Sequence, residues 1–240
     1  MPSCSKWILT ILLTSACALG GDDRVCVTEV RVSGQTAEAL ASSEPAMGKT
    51  PAMDELRKTA FVRLESKRLV LSTPAPGDLP LLVPIFNDYL SVRYTWFWEN
   101  ETYWNPARMA EKFDGFAKDQ LEGKRHDFVI RLKQEPHALI GRCAFFQTNT
   151  PGVWEYGITI FRSYWGNHLA REVMAATLEY AFSNLGATRV WFRTEPENEQ
   201  MLRQYPHFGI EKAPDTEEQL PTAGKDHEYL TFKIDAVDWN

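Results

Sequence analysis

Apolar positions recur with a helical period in two long stretches of the chain and with a strand-like period in several shorter ones. Lys67 to Ser72 reads as a first strand, and a proline-rich turn then leads to a helix capped by Asp78, with Pro80 in its first turn and a kink predicted at Pro84. Asn105-Pro106 opens a clearer helix. Met109, Phe113, Phe116, Ala117 and Leu121 follow its spacing, and Gly123 stands where a left-handed C-cap belongs. Three strand-like runs come next, Asp127 to Lys133, Ala138 to Gln147 and Val153 to Phe161, and the short links between them predict an antiparallel meander. A helix from Leu169 to Leu185 follows, with Ala170, Val173, Met174, Leu178, Ala181, Phe182 and Leu185 on one broad face and Gly186 as its stop. It leads into a strand from Thr188 to Thr194, which predicts a strand-helix-strand crossover. A further helix begins near Asn198 and ends before Gly209, a polar linker occupies Lys212 to Lys225, and a last strand runs from Glu228 to Ile234. These elements together make a mixed α/β sheet.

Composition narrows the class. With 240 residues, 44% hydrophobic and 24% charged, the chain can bury a sizeable core. The net charge of -6 carries no electrostatic footprint for nucleic acid or anionic lipid, and no uncharged run is long enough for a stable membrane span. Cys4, Cys17 and Cys26 lie in the N-terminal segment and Cys143 stands alone beyond it, so neither a disulfide framework nor a cysteine-based zinc site is expected. His126, His137, His207 and His227 lack ligand-like spacing, and no metal is expected. Residues 1–20 have the outline of a secretory signal, Trp7 to Gly20 being apolar and uncharged behind Lys6; the alternative is a misplaced start, with Met47 or Met53 as initiator. Residues 21–60 read as a linker or disordered arm, which leaves 61–240 as one domain. A cytoplasmic location is favoured, secretion being the alternative if the signal is real. Composition leaves monomer and dimer equally open.

The stretch that carries chemistry is EYGITIFRSYWGNHLAREV, residues 155–173. A strand that ends in a small-residue turn and enters a helix can surround a pyrophosphate with unsatisfied N–H groups at the positive end of the helix dipole. Here the turn is Trp165 to Arg171, and Gly166 and Ala170 leave room for the backbone to approach.

This segment resembles the acyl-CoA site of the GCN5-related N-acetyltransferases, and in particular the branch that acetylates ribosomal-protein N-termini (RimJ/RimL-like). The signature there runs like E-L-G-Y, then Y-W-G-K-G-Y-A-T-E-A; this chain has Glu155-Tyr156-Gly157, then Tyr164-Trp165-Gly166-Asn167-His168-Leu169-Ala170-Arg171-Glu172. The resemblance continues through TEPENEQMLRQYPHFGI to the final HEYLTFKI and spans roughly Phe61 to Trp239. It implies a largely antiparallel central sheet with a splayed parallel strand pair and flanking helices. It also implies an enzyme that moves an acetyl group from acetyl-CoA to an amine acceptor, a protein N-terminus or a small molecule, by direct attack in a ternary complex.

Carried over by position, the resemblance assigns the pyrophosphate loop to Trp165, Gly166, Asn167, His168, Leu169, Ala170 and Arg171, and the edge that pairs with the pantetheine amides to Ile158, Thr159, Ile160 and Phe161. Asn198 corresponds to an asparagine that contacts the pantetheine arm, and it also suits a plain helix N-cap. Tyr205 falls where the wider superfamily places the acid that protonates the departing thiolate; the alternative is a tyrosine packed in the core. Glu155 is the candidate general base, with burial beside apolar strands raising its pKa, and the alternative is an ion-paired or solvated strand glutamate. His168 replaces the usual central glycine and Pro206 restricts Tyr205, and these two departures motivate a second reading, a non-catalytic acyl-CoA-binding or interaction module. The aromatic run Tyr89 to Trp104 falls in the family's acceptor region, where Trp98, Glu99 and Glu101 would hold an amine; core or lid packing is the alternative. Asp215 to Glu218 reads as a solvated acidic loop.

Overall fold

A computed structural model describes residues 12–18, 25–31, 50–95, 103–214 and 229–239. Two strands, β1 (Leu12–Ala18) and β2 (Val25–Arg31), form a separate antiparallel pair. The central sheet has eight strands: β3 (Arg63–Glu65), β4 (Leu69–Ser72), β5 (Arg125–Leu132), β6 (Glu135–Gln147), β7 (Val153–Ile160), β8 (Arg189–Thr194), β9 (Glu211–Lys212) and β10 (Leu230–Asp235). Their order is β3-β4-β5-β6-β7-β8-β10-β9. Every neighbouring pair is antiparallel except β7 and β8, which are parallel. The helices are α1 (Pro51–Thr59), α2 (Leu79–Asn87), α3 (Tyr89–Val92), α4 (Pro106–Leu121), α5 (Leu169–Ser183) and α6 (Glu199–Leu202).

Successive strand residues point to opposite faces, so one strand feeds two cores. Phe128 and Ile130 on β5 pack with Tyr156 and Phe192 beneath α5, whereas Val129 between them joins Met53, Leu82, Phe86 and Phe113 of α1, α2 and α4. The deep burial of α5 exceeds its predicted stripe, since Thr177 and Tyr180 are covered as well as Val173, Met174 and Leu178. The α4 boundaries follow the expected chemistry: the Asn105 side chain accepts from Arg108 N at 3.0 Å, and Gly123 ends the helix at φ 72°.

Several expectations need correction. Helix α1 lies ahead of the start read at Phe61, where it buries Met53 and Leu56 and fastens its first N–H groups to another helix, Ala52 N donating to Asp114 Oδ1 at 2.8 Å. The arm read over 21–60 also contains strand β2. Asp78 stands at the N-cap position of α2 but makes no side-chain cap bond there; its carboxylate accepts from Ala75 N at 2.7 Å and pairs with Arg131, closing a 3-10 turn ahead of the helix. The helix expected from Asn198 to Gly209 is two pieces, α6 and a 3-10 turn over Tyr205–Phe208 that carries Pro206 in its first turn. Strands β3 and β9 are too short for a periodicity to reveal. Trp96, Phe97, Trp98, Glu99 and Glu101, with Asp215 to Glu218, lie outside the described residues. Trp104 is core, its ring 5.5 Å from Phe86 and its backbone bonded both ways to the Asn87 side chain.

Candidate active site

The decisive geometry is where a ladder stops. The parallel pairing of β7 with β8 runs from Val153↔Arg189 to Tyr156↔Phe192, yet β7 continues to Ile160 and β8 to Thr194. On the other side β7 stays paired to β6 as far as Ile160↔Gly141, and Phe161 N donates to Ile140 O at 2.8 Å. Because antiparallel bonds alternate, that last bond assigns the peptide groups of Thr159 and Gly157 to β6 and turns those of Ile158 and Ile160 towards the gap beside β8. The close seat of β6 on β7 depends on Gly141, where a Cβ would lie 2.2 Å from Thr159 O. A cleft of about 710 Å³ opens at this divergence. Glu155, Ile158, Thr159, Ile160, Trp165, Gly166, His168, Leu169, Ala170, Asn198 and Tyr205 all line it.

At one end of the cleft, β7 enters α5 through a turn with two left-handed residues, Gly166 at φ 79° and His168 at φ 56°. This backbone explains the glycine usual at position 168 in the sequences it resembles: among the described residues, His168 is the one non-glycine residue with positive φ. His168 offers no side-chain cap to α5, so the leading N–H groups at Leu169, Ala170 and Arg171 have no intrahelical partner, and the first helical bond is Glu172 N to His168 O at 3.4 Å. Trp165 Nε1 donates to Ile160 O at 2.7 Å and pins the turn against the strand end. The turn is also fixed from outside. Glu172 accepts from Ser66 Oγ, Arg68 N and Arg68 Nε, and Arg68 reaches Asn167 O at 3.1 Å. Burial opposes the charge on Glu172, but these bonds outweigh it and hold the carboxyl below its ordinary range. Replacing His168 by glycine should relieve the left-handed strain, less the extra chain entropy, for a gain of up to about 1 kcal/mol. Thermal unfolding should register that as a small rise in Tm.

The remaining expectations sort by geometry. Asn198 fills the cap role, its Oδ1 accepting from Met201 N at 3.4 Å while Nδ2 donates to Thr194 Oγ1 at 2.9 Å, and it faces the cleft as well. Tyr205 is 2% exposed, its ring against Phe192 and Phe232. It combines core packing with a place on the cleft wall, and burial pushes its phenol well up. Glu155 is held by Arg193, Nε to Oε1 at 2.8 Å and a terminal nitrogen to Oε2 at 3.0 Å, so the ion-paired alternative describes its contacts. Phe161, Asn167 and Arg171 do not line the cleft. The Phe161 N–H is spent on Ile140 and its side chain packs with the α2 and α4 core; Asn167 bonds back to Tyr164 O; and the Arg171 side chain turns to His207. His126 is half-buried, 3.3 Å from Tyr180 Oη and edge-on to the Trp154 ring.

Sequence reasoning missed the arginines of the opposite end. Arg142 on β6 is 4% exposed and lines the cleft; it and Arg125 share the buried carboxylate of Asp127. Phe116 and Phe146 lie 3.5 and 4.3 Å from the Arg125 guanidinium, and aromatic faces offset part of its desolvation. Charged residues inside strand runs, RHDFVIRL and GRCAFF, were the available signal.

Comparison with known proteins agrees with this geometry. The profile of the acetyltransferase (GNAT) domain matches residues 68–211, well over half of the chain. The chain belongs to the GNAT acetyltransferases. It is 26% identical over 151 residues to an uncharacterized N-acetyltransferase, p20, of Bacillus licheniformis, a match covering 62% of this chain and 82% of that protein. Spermidine N-acetyltransferase of Vibrio cholerae, solved with CoA and spermine, superposes with a TM-score of 0.59 at 20% identity, covering 71% of this chain and 96% of that one. Mycobacterium smegmatis RimJ with CoA-disulfide gives a TM-score of 0.60 at 16% identity, covering 71% and 83%. This GNAT chain is an N-acetyltransferase, and its fold is the expected mixed sheet with one diverging parallel pair.

Proposed function

We propose that the cleft binds acetyl-CoA with its pantetheine arm along Ile158 and Ile160 and its pyrophosphate at the α5 N-terminus, and that an amine attacks the thioester directly in a ternary complex. The observation that carries this is the parallel ladder ending at Tyr156↔Phe192, which leaves the Ile158 peptide groups and the Ile160 N–H without a strand partner beside unpaired helix N–H groups, the Ile160 carbonyl being held by Trp165. An extended amide-bearing chain can add to such an edge as a strand would, while an anion suits the helix terminus. Bound acetyl-CoA supplies an activated acetyl group. A nitrogen–carbon bond forms to the acetyl carbon, the carbon–sulfur bond breaks, the amine gives up a proton and the departing thiolate gains one. Tyr205 is the donor to the thiolate, its phenol held protonated by burial on the cleft wall. With both Glu155 oxygens committed to Arg193, we assign Glu155 to orienting the strand pair at the junction and to relaying the amine proton through water rather than to direct abstraction. The acceptor is a protein N-terminus or a small amine.

Thermal unfolding tests the binding half. Acetyl-CoA at a hundred times its Kd should stabilise the protein by about 2.7 kcal/mol, whereas NADH and ATP at equal concentration should leave Tm unmoved. A protein indifferent to every CoA species would sink the proposal.

A further inference from the structure

The acceptor end of the cleft is furnished with guanidinium groups whose carboxylates are already taken. Arg193 occupies both oxygens of Glu155, and Arg142 shares the Asp127 carboxylate with Arg125. Arg93 is different. It follows α3 on the cleft wall and has no carboxylate partner among the described residues; its guanidinium lies 4.5 Å from the Tyr94 ring centroid, and its Nε, like that of Arg142, is buried without a hydrogen-bond partner. A half-buried guanidinium on a cleft wall with no carboxylate beside it is free to take one from a ligand. Tyr94 Oη donates to Glu197 O at 3.2 Å, which ties the Arg93 segment to the turn after β8 and fixes this guanidinium near the divergence of the strands. Glu199 on the far rim is paired with Arg203, and Glu197 stands exposed there.

We propose that the acceptor is an amine that also carries a carboxylate, which Arg93 binds, with the guanidinium of Arg142 adding to the favourable field. This rests on the acetyl-transfer reading and deepens it. An acceptor with a second ammonium, such as a polyamine, would meet the Arg93 charge on this wall, and among the described cleft residues the carboxylate left to it is the solvent-exposed Glu197. An acceptor with a carboxylate would instead pair with the half-buried Arg93 guanidinium and gain a charge-assisted bond. The same chemistry is offered by a free amino acid and by a polypeptide that begins with an acidic residue.

The test measures CoA thiol release by the full chain with matched amines: L-amino acids against their carboxamides, peptides beginning with Asp against the same peptides beginning with Asn, and spermidine. In at least one matched set the carboxylate member should show a kcat/KM about tenfold above its neutral partner, in keeping with a charge-assisted hydrogen bond, and spermidine should fall below both. Which set shows it identifies the source of the carboxylate. Arg93→Gln should bring the ratio to within about twofold of unity while the stabilisation by acetyl-CoA persists. Equal rates across every pair, an absence of turnover in all of them included, or spermidine as the preferred amine, overturns the proposal. Loss of the acetyl-CoA stabilisation in the unmodified protein is instead a failure of the acetyl-transfer reading, and this one falls with it.

Discussion

Tyr205→Phe should lower kcat at least about tenfold, within the range of roughly 10² to 10⁴ that general acid assistance contributes, while KM for acetyl-CoA barely moves. The ring is what packs: its neighbours are Phe192 at 5.4 Å and Phe232 at 4.6 Å, and both contacts survive removal of the hydroxyl. Burial pushes the phenol pKa up, so the group stays protonated at neutral pH and is available to donate a hydrogen bond, and then its proton, to the sulfur as negative charge builds up there. The deficit should therefore shrink with an acyl donor whose leaving thiol is more acidic. Wild-type turnover by the variant, under conditions where chemistry limits the rate, would make Tyr205 a packing residue alone.

The second large effect is on stability. Asp127→Asn keeps size and removes charge, leaving Arg125 and Arg142 buried side by side with no carboxylate between them. Breaking a buried pair in this way costs about 3–5 kcal/mol, or about 6–20 °C in Tm for a domain of this size. Burial disfavours the charge on Asp127, but the two guanidinium groups outweigh it, and its pKa lies below the ordinary value. Its contribution to stability is therefore complete above the unfolded-state pKa of about 3.9 and is lost only as pH falls through the lower folded value. Calorimetry at neutral pH checks the magnitude. A variant that also replaces Arg125 and Arg142 by methionine should regain much of the loss, because no lone charge is then left inside.

Much of this architecture is legible in residue order. Asn105-Pro106 and Gly123 bracket α4, Gly186 ends α5, and the short links between β5, β6 and β7 leave little choice but a meander. Those signals are local, and local signals survive tertiary context when caps and turns agree with the apolar period. What could not be read depends on partners far along the chain. Asp78 has the composition of a cap, yet Arg131 competes for it from 53 residues away. Residues before Phe61 lack periodicity over any useful length, but α1 needs only Met53 and Leu56 to dock. In the site, the loop and the open edge were visible because a contiguous signature encodes them. The arginines were not, since Arg93, Arg142 and Arg193 converge only once α3, β6 and β8 are assembled.

The left-handed backbone at position 168 also bears on how this surface can vary. An exposed turn residue ordinarily accepts most substitutions, because nothing packs against it. Here the restriction comes from the main chain, and it falls hardest on β-branched and bulky side chains, which pass poorly into that region, whereas glycine, asparagine, aspartate and histidine enter it more readily. In a saturation library the position should therefore behave like a buried one, with a narrow band of survivors set between more permissive neighbours such as Ser163 and Asn167. Solvent exposure alone would rank all three alike. The lip of the cleft thus has a stricter alphabet than its accessibility suggests, and histidine is one of the few letters in it.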